Sequence, residues 1–316
     1  MSDKNVMKPI SAIKGLLAGA ALVAGLAIST GQLTAANIGI SSAGTVGLGA
    51  VAVGQPATVE GALFAASHPD VFARAGSTSD ALGFPVGSQR NGRHVHDGVQ
   101  GSDYDEVSEV DSAGQAIALT QFANDGHLLA AVRFDSPPAA IGNVTSDTAT
   151  KAAQRALSGA GITVVGQART EANETSGGWD VHWARAQGGY SVRGDETRVH
   201  VWRDGSIQSV ARVEHQLSAG PTRFMVQADA RAAVTKQCNA WFARTASGCA
   251  LQGMDLEWVG PNAAFDAGKL GAASAPYKLA WVANVKPSGR AADYVQLITL
   301  YIDAGSGSVI GGDVVE

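Results

Sequence analysis

The chain has 316 residues, of which 45% are hydrophobic, and it carries a net charge of −5. This length and apolar content predict a substantial buried core, in one large domain or in two or three small ones. The negative charge, without a basic stripe in the sequence, argues against nucleic acid as a partner. Only 16% of the residues are charged and 39 are glycine, which favours an exported, β-rich protein over a cytosolic enzyme.

Residues 1–36 have the pattern of an export signal. Lysines at its start precede an uncharged run of Ala, Leu and Val at 15–28, and Thr34-Ala35-Ala36 offers small residues for cleavage. An uncleaved membrane anchor is the alternative, but the run is shorter than the roughly 20 residues that span a bilayer. We therefore expect a mature protein that starts near Asn37 and is secreted or resides in the cell envelope. Contact with a membrane is expected only if the signal stays uncleaved.

Residues 37–101 are predicted to be a linker or irregular segment, with a short helix from Val59 to about Arg74. Residues 76–101 are dense in Gly, Ser, Asn and Arg, which predicts a loop. If this loop is extended, His94 and His96 project on one side and Asp97 could close a chelate, so these three are the candidates for a metal site. The alternative is that they are solvated polar residues, and we expect neither a metal nor a cofactor.

Residues 102–138 are predicted to form a β-rich segment. Strands are expected at 104–110, 115–122 and 127–134, and Pro137-Pro138 ends the segment. Turn residues of the Asp, Asn and Gly type separate these strands, and they are the strongest short-range signal for hairpins.

Residues 139–218 begin with a helical pattern. Alanine and leucine recur at helical spacing over 149–160, which predicts one apolar face packed closely on a sheet. The strands expected after this helix lie at 163–168, 179–184, 198–203 and 206–213.

Residues 219–316 repeat that order. A second helix is expected at 227–244, followed by strands at 254–259, 278–285, 295–303 and 308–315. The strand–turn–strand pattern of 300–310 repeats that of 201–210, and 122–128 is a looser third copy. This repetition predicts duplication of a unit that combines a helix with an antiparallel sheet.

One stretch of the first repeat carries a family resemblance. It consists of Gly189-Tyr190-Ser191-Val192-Arg193-Gly194, then a strand, the turn Asp204-Gly205 and a second strand. This order resembles the core of PepSY-like domains, in particular the propeptide module of fungalysin- and thermolysin-type metalloproteases. The resemblance covers 145–217 well and 227–316 moderately.

The resemblance implies an α+β fold of tandem modules, each with one helix packed on an antiparallel β-sheet. It also implies a secreted, non-enzymatic accessory protein. In protease precursors such a module precedes a catalytic domain that bears His-Glu-x-x-His, and this sequence contains no such motif. A GxSxG elbow for a nucleophilic serine is missing as well. We therefore expect no enzymatic activity.

Strand alternation in the first repeat predicts a contact surface. If Val199 and Val201 face the helix, the opposite face of the sheet is open and mixes charged and aromatic side chains, as contact surfaces do. The alternative is a solvated face with a tryptophan half covered by a loop. The residues of this predicted face are Asp180, His182, Arg198, His200 and Trp202.

The two cysteines, Cys238 and Cys249, predict an intramolecular disulfide. A metal or redox pair is the alternative, although the spacing is not CxxC. By the family resemblance, the protein is expected to bind another secreted or envelope protein, such as a protease, as an inhibitor or folding helper in trans. The alternatives are a structural or assembly protein of the cell envelope and a metal-binding envelope protein.

Overall fold

The computed structural model describes residues 59–97, 102–135, 143–175, 177–243, 247–262 and 275–315. The predicted signal peptide lies outside these ranges. The helices are α1 (Val59–Ser67), α2 (Pro69–Leu82), α3 (Ser146–Gly159) and α4 (Gln227–Phe242). The strands are β1 (Gln89–Asp97), β2 (Ser102–Val110), β3 (Ala116–Ala123), β4 (Leu128–Arg133), β5 (Arg169–Ala172), β6 (Gly178–Gln187), β7 (Tyr190–Trp202), β8 (Ile207–Val213), β9 (Ser247–Val259), β10 (Lys278–Gly289), β11 (Leu297–Asp303) and β12 (Val309–Val315).

These elements form an α+β fold in which antiparallel sheet dominates, as expected. β7 and β9 pair in parallel, through Ser191 with Glu257 and Val192 with Trp258. No helix in the described ranges is both long enough and apolar enough to cross a membrane.

The chain divides into two compact units. The first unit contains the described residues of Gly25–Arg185 together with Asp195–Glu214, and the second contains Ala186–Gly194 and the described residues of His215–Glu316. Strand β7 therefore supplies residues 190–194 to the second unit and 195–202 to the first.

In the first unit the strands follow the order β1-β2-β3-β4-β8-β7-β6-β5. Helix α3 begins after Thr145, whose hydroxyl accepts a hydrogen bond from the Thr148 N–H at 3.3 Å. Its buried face consists mainly of alanine, which lets the helix approach the sheet closely. α1, α2 and α3 all contribute to the core of this unit, so it is not a module with a single helix. The core of this unit includes Phe64, Phe122, Leu157, Trp183 and Val199.

The prediction that 37–101 forms a linker or irregular segment is wrong for the residues that the structure describes, 59–97. α2 runs past the expected helix end to Leu82, where Gly83 ends it in the left-handed conformation at φ 68°. The expected loop at 76–101 contains β1, which pairs with β2 along its whole length. The sequence signal is missing because the side chains of β1 are mainly polar and pair with charged side chains of β2, for example Arg93 with Glu106 at 2.8 Å. Gly92 also leaves room for the ring of Phe64, which a Cβ there would meet at 2.5 Å.

The prediction of a strand at 163–168 is also wrong. Those residues are irregular, and the strand in this part of the chain is β5, at Arg169–Ala172. The four predicted hairpins are confirmed, and their turns are stabilised in the same way. In each turn an aspartate Oδ1 accepts a backbone N–H of the same turn. The pairs are Asp111 with Ala113 at 2.9 Å, Asp125 with His127 at 3.1 Å, Asp204 with Ser206 at 2.9 Å and Asp303 with Ser306 at 2.7 Å.

In the second unit, residues 190–194 of β7 are followed by β9, β10, β11 and β12. α4 buries Ala230, Val234 and Cys238 in a core with Leu300 and Ile302. The predicted disulfide is confirmed: Cys238, near the end of α4, is bonded to Cys249 in β9, with their Cα atoms 6.1 Å apart.

Candidate functional site

The predicted contact face of the first unit has the expected register but not the expected exposure. Val199 and Val201 are fully buried in the core of the unit, so β7 presents His200 and Trp202 on its other face. The side chains on that face are themselves buried. The relative exposures are 0% for Trp202, 4% for His200, 7% for Asp180 and 9% for His182, while the Arg198 side chain keeps 28%.

The expectation of an open face is therefore wrong for four of the five residues. Trp202 is not even half exposed: its ring is covered by the guanidinium of Arg133, whose carbon lies 4.8 Å from the ring centroid. Arg133 in turn pairs with Asp135. The tryptophan belongs to the interior and not to a contact surface.

Two polar members of the face, His200 and Arg198, pair with Asp180, whereas His182 Nδ1 lies 3.3 Å from Glu196 Oε2. Its Oδ1 accepts a hydrogen bond from His200 Nδ1 at 2.7 Å, and its Oδ2 accepts from Arg198 and from the Asn173 side-chain amide, each at 2.8 Å. Burial opposes ionisation of Asp180. The hydrogen bonds and positive charges of His200 and Arg198 outweigh it and hold the pKa of the carboxyl well below its usual range.

A pocket of about 10 Å³ adjoins this cluster, and Gln208 and Ser209 complete its polar lining. That volume accommodates about one water molecule. The cluster is thus a closed hydrogen-bonded network, with space for solvent but not for a substrate of ordinary size.

The second unit contains a related arrangement that the sequence reasoning missed. Tyr301 occupies the place in its hairpin that Trp202 occupies in the first repeat, and it too is buried, at 3% exposure. Arg193 lies over its ring at 5.7 Å and pairs with Glu257 at 2.9 Å, while the hydroxyl donates a hydrogen bond to Asp313. Burial and the nearby Asp313 carboxylate raise the pKa of Tyr301 above its usual range. The repeat alignment of 201–210 with 300–310 was the signal that could have identified this pair of positions.

Exposed apolar side chains occur just before α4. Phe224 is 48% exposed and Val226 is 61% exposed, with Met225 between them. The backbone of Met225 is held on both sides, since its N–H donates to Ala304 O at 2.7 Å and its carbonyl accepts from Trp281 Nε1 at 3.1 Å. The Met225 side chain packs on the core, whereas the side chains of its two neighbours are exposed.

The metal candidates lie on β1, where the extended conformation places His94 and His96 on one side, as expected. His94 Nδ1 lies 2.9 Å from Asp105 Oδ1, and His96 pairs with Asp103. The side chain of Asp97 lies outside the described part of the chain. Among the described residues, no group of three or more His, Cys, Asp or Glu side chains is arranged to hold a metal ion.

No protein-family model matches the chain, and no curated protein sequence matches it significantly. Among solved structures, the chain is similar to the Bacillus megaterium YpeB C-terminal domain. The two share 10% sequence identity with a TM-score of 0.40, over 78% of this chain and 97% of that one.

Proposed function

We propose that the protein is an exported, non-enzymatic protein-binding protein that acts in trans on an extracytoplasmic partner, such as a hydrolase that it inhibits or helps to fold. The resemblance of 145–217 and 227–316 to tandem PepSY-like modules supports this role.

The observation that carries the proposal is the exposed pair Phe224 and Val226. Large apolar side chains that are held rigidly outside the core gain the most from burial by a partner, because little conformational entropy is lost on binding. The two backbone hydrogen bonds of Met225 fix the main chain between these side chains. We therefore place the binding surface at 224–226 and not on the predicted face around Trp202.

Export is supported by the signal-like sequence at 1–36 and by the disulfide between Cys238 and Cys249, since disulfides persist in oxidising compartments. N-terminal sequencing of the exported protein checks this part. The expected first residue is near Asn37, and an intact run at 15–28 would contradict cleavage.

The function is tested by affinity capture. The mature protein is immobilised, incubated with culture supernatant of the source organism, and the retained proteins are identified by mass spectrometry. The partner is then purified, and its affinity is measured for the wild type, for the double variant Phe224→Ser/Val226→Ser, and for the control Val165→Ser. Val165 is 73% exposed and lies in the other unit.

We expect one partner in a one-to-one complex. The double variant should bind it at least about 10-fold more weakly, as expected when a hot spot is lost, and the control should bind unchanged. Equal affinities of all three proteins would contradict the placement of the surface. Large partner-free species in size-exclusion chromatography would favour the assembly role instead.

A further inference from the structure

The hairpin of β1 and β2 carries two histidines and two aspartates on one face. The register pairs His94 with Asp105 and His96 with Asp103, and directly opposed residues of antiparallel strands share a face. The side chains are partly open to solvent: His94 is 48% exposed and Asp103 is 37% exposed. Arg93 lies on the other face of β1, and its charge is paired with Glu106 at 2.8 Å.

Asp105 determines which nitrogen of His94 can bind a ligand. An ionised carboxylate only accepts hydrogen bonds, so the 2.9 Å contact places the proton of neutral His94 on Nδ1. Nε2 then carries a lone pair directed away from Asp105. A carboxylate behind a histidine in this way is the usual support of a metal-binding imidazole.

A carboxylate oxygen that could be the second ligand lies near His94 Nε2. His96 Nδ1 holds Oδ1 of Asp103, and Oδ2 of the same carboxylate lies 3.9 Å from His94 Nε2. This distance is too long for a hydrogen bond. Two ligand atoms at about 2.0–2.2 Å from one zinc ion, in tetrahedral geometry, are roughly 3.4 Å apart. A movement of about half an ångström by exposed side chains would therefore suffice to bridge them.

We propose that His94 Nε2 and Asp103 Oδ2 bind one divalent transition-metal ion, with water completing its coordination. Asp105 and His96 are positioning residues that hold the two ligands from behind. Because only two protein atoms bind, the site is consistent with the absence of any three-residue group in the described ranges. The site is independent of the proposed protein-binding function.

The ligand chemistry sets the expected order of ions. An imidazole with a carboxylate suits copper, nickel and zinc, and affinity should decrease from Cu²⁺ to Ni²⁺ and Zn²⁺. Mg²⁺ and Ca²⁺ prefer oxygen ligands and should not compete.

The test uses the untagged mature chain and titrates it with Ni²⁺ or Zn²⁺ in an isothermal calorimeter. We expect one ion per chain for the wild type and loss of this binding in His94→Asn. Asp105→Asn should weaken binding by about 10-fold or more, as loss of a supporting carboxylate does. His68→Gln is the matched control: His68 bonds Ser67 instead of a carboxylate, and its removal should change nothing.

A second measurement does not depend on the folding of any variant. Diethyl pyrocarbonate modifies accessible histidine nitrogens, and peptide mass spectrometry follows each site in the wild type. Zn²⁺ should protect His94 and leave the rate at His68 unchanged. The proposal is overturned if the wild type binds no ion at millimolar concentration, if His94→Asn binds as the wild type does, or if Zn²⁺ fails to protect His94.

Discussion

His200 Nδ1 lies 2.7 Å from Asp180 Oδ1, and both side chains are almost completely buried. The face of the sheet around this pair has the composition of a contact surface, but most of its side chains are buried in the interior. A buried carboxylate is tolerated there because Arg198 and Asn173 satisfy its second oxygen. The residues chosen from the sequence as a binding surface are therefore expected to act on stability.

Asp180→Asn should destabilise the protein by about 3 kcal/mol, because it leaves Arg198 partly buried without its counter-charge. Urea unfolding, followed by circular dichroism, measures the change. Asp147→Asn is the control: its ion pair with Lys151 is exposed on a helix and should contribute no more than about 0.5 kcal/mol. Similar effects of both substitutions would contradict the structural role of the cluster.

The contribution of Asp180 to the free energy of unfolding should depend on pH in a defined direction. The pKa of Asp180 is lower in the folded state than in the unfolded chain, so its ionised form stabilises the fold. That contribution is complete above the unfolded-state pKa of about 3.9 and is lost as the pH falls through the folded-state pKa. Asp303 has its pKa lowered as well, where the Ser306 and Gly305 hydrogen bonds outweigh burial, and it adds an effect of the same sign.

We therefore expect the stability gap between the wild type and Asp180→Asn to be largest near neutral pH and to narrow steadily below about pH 4. Urea midpoints of the two proteins, measured across this range, test the prediction. A gap that stays constant into strong acid would show that the carboxylate is not the ionised partner of His200 and Arg198.

Trp202→Ala should cost about 3–5 kcal/mol, as removal of a fully buried aromatic side chain does. Partner binding should be unaffected wherever the variant remains folded. Arg203→Ala, at an exposed neighbouring side chain, should shift stability by less than about 0.5 kcal/mol. If the Trp202→Ala variant kept wild-type stability but bound the partner more weakly, Trp202 would belong to a contact surface after all.

Removal of the disulfide should loosen α4. The double substitution Cys238→Ala/Cys249→Ala should cost about 2–3 kcal/mol of stability through the gain in chain entropy of the unfolded state. Hydrogen exchange should show faster exchange of α4 amides than in the wild type, because only Ala230, Val234 and Cys238 are buried along this helix. A count of two free thiols on the unfolded, unreduced exported protein would rule out the bond.

Local signals in the sequence predicted the hairpins and the two later helices. Asp204-Gly205 and Asn124-Asp125-Gly126 specify tight turns, and the alanine spacing of 149–160 specifies a helix face. These signals act within a few residues, so a single sequence contains them.

The missed elements depend on partners that are distant in the sequence. β1 has no apolar alternation in its sequence. Its arginines pair with Glu106 and Glu109 of β2, and the ring of Phe64 packs on Gly92. The candidate face was misjudged for the same reason. A row such as Asp180, His182 and His200 looks solvated unless the cross-strand pairs that bury it are known.

Strand β7 limits how this chain can be divided for experiments. A fragment that starts at His215 lacks Ser191 and Val192, which pair with β9, and Arg193, which pairs with Glu257. Val192 is part of a buried cluster with Trp258 and Leu279, so such a fragment would expose the indole of Trp258 to water. The second unit is therefore discontinuous in sequence. Expressed from residue 215 onwards, it should aggregate or remain partly unfolded, whereas the same fragment supplied with a peptide of residues 186–194 should recover its fold.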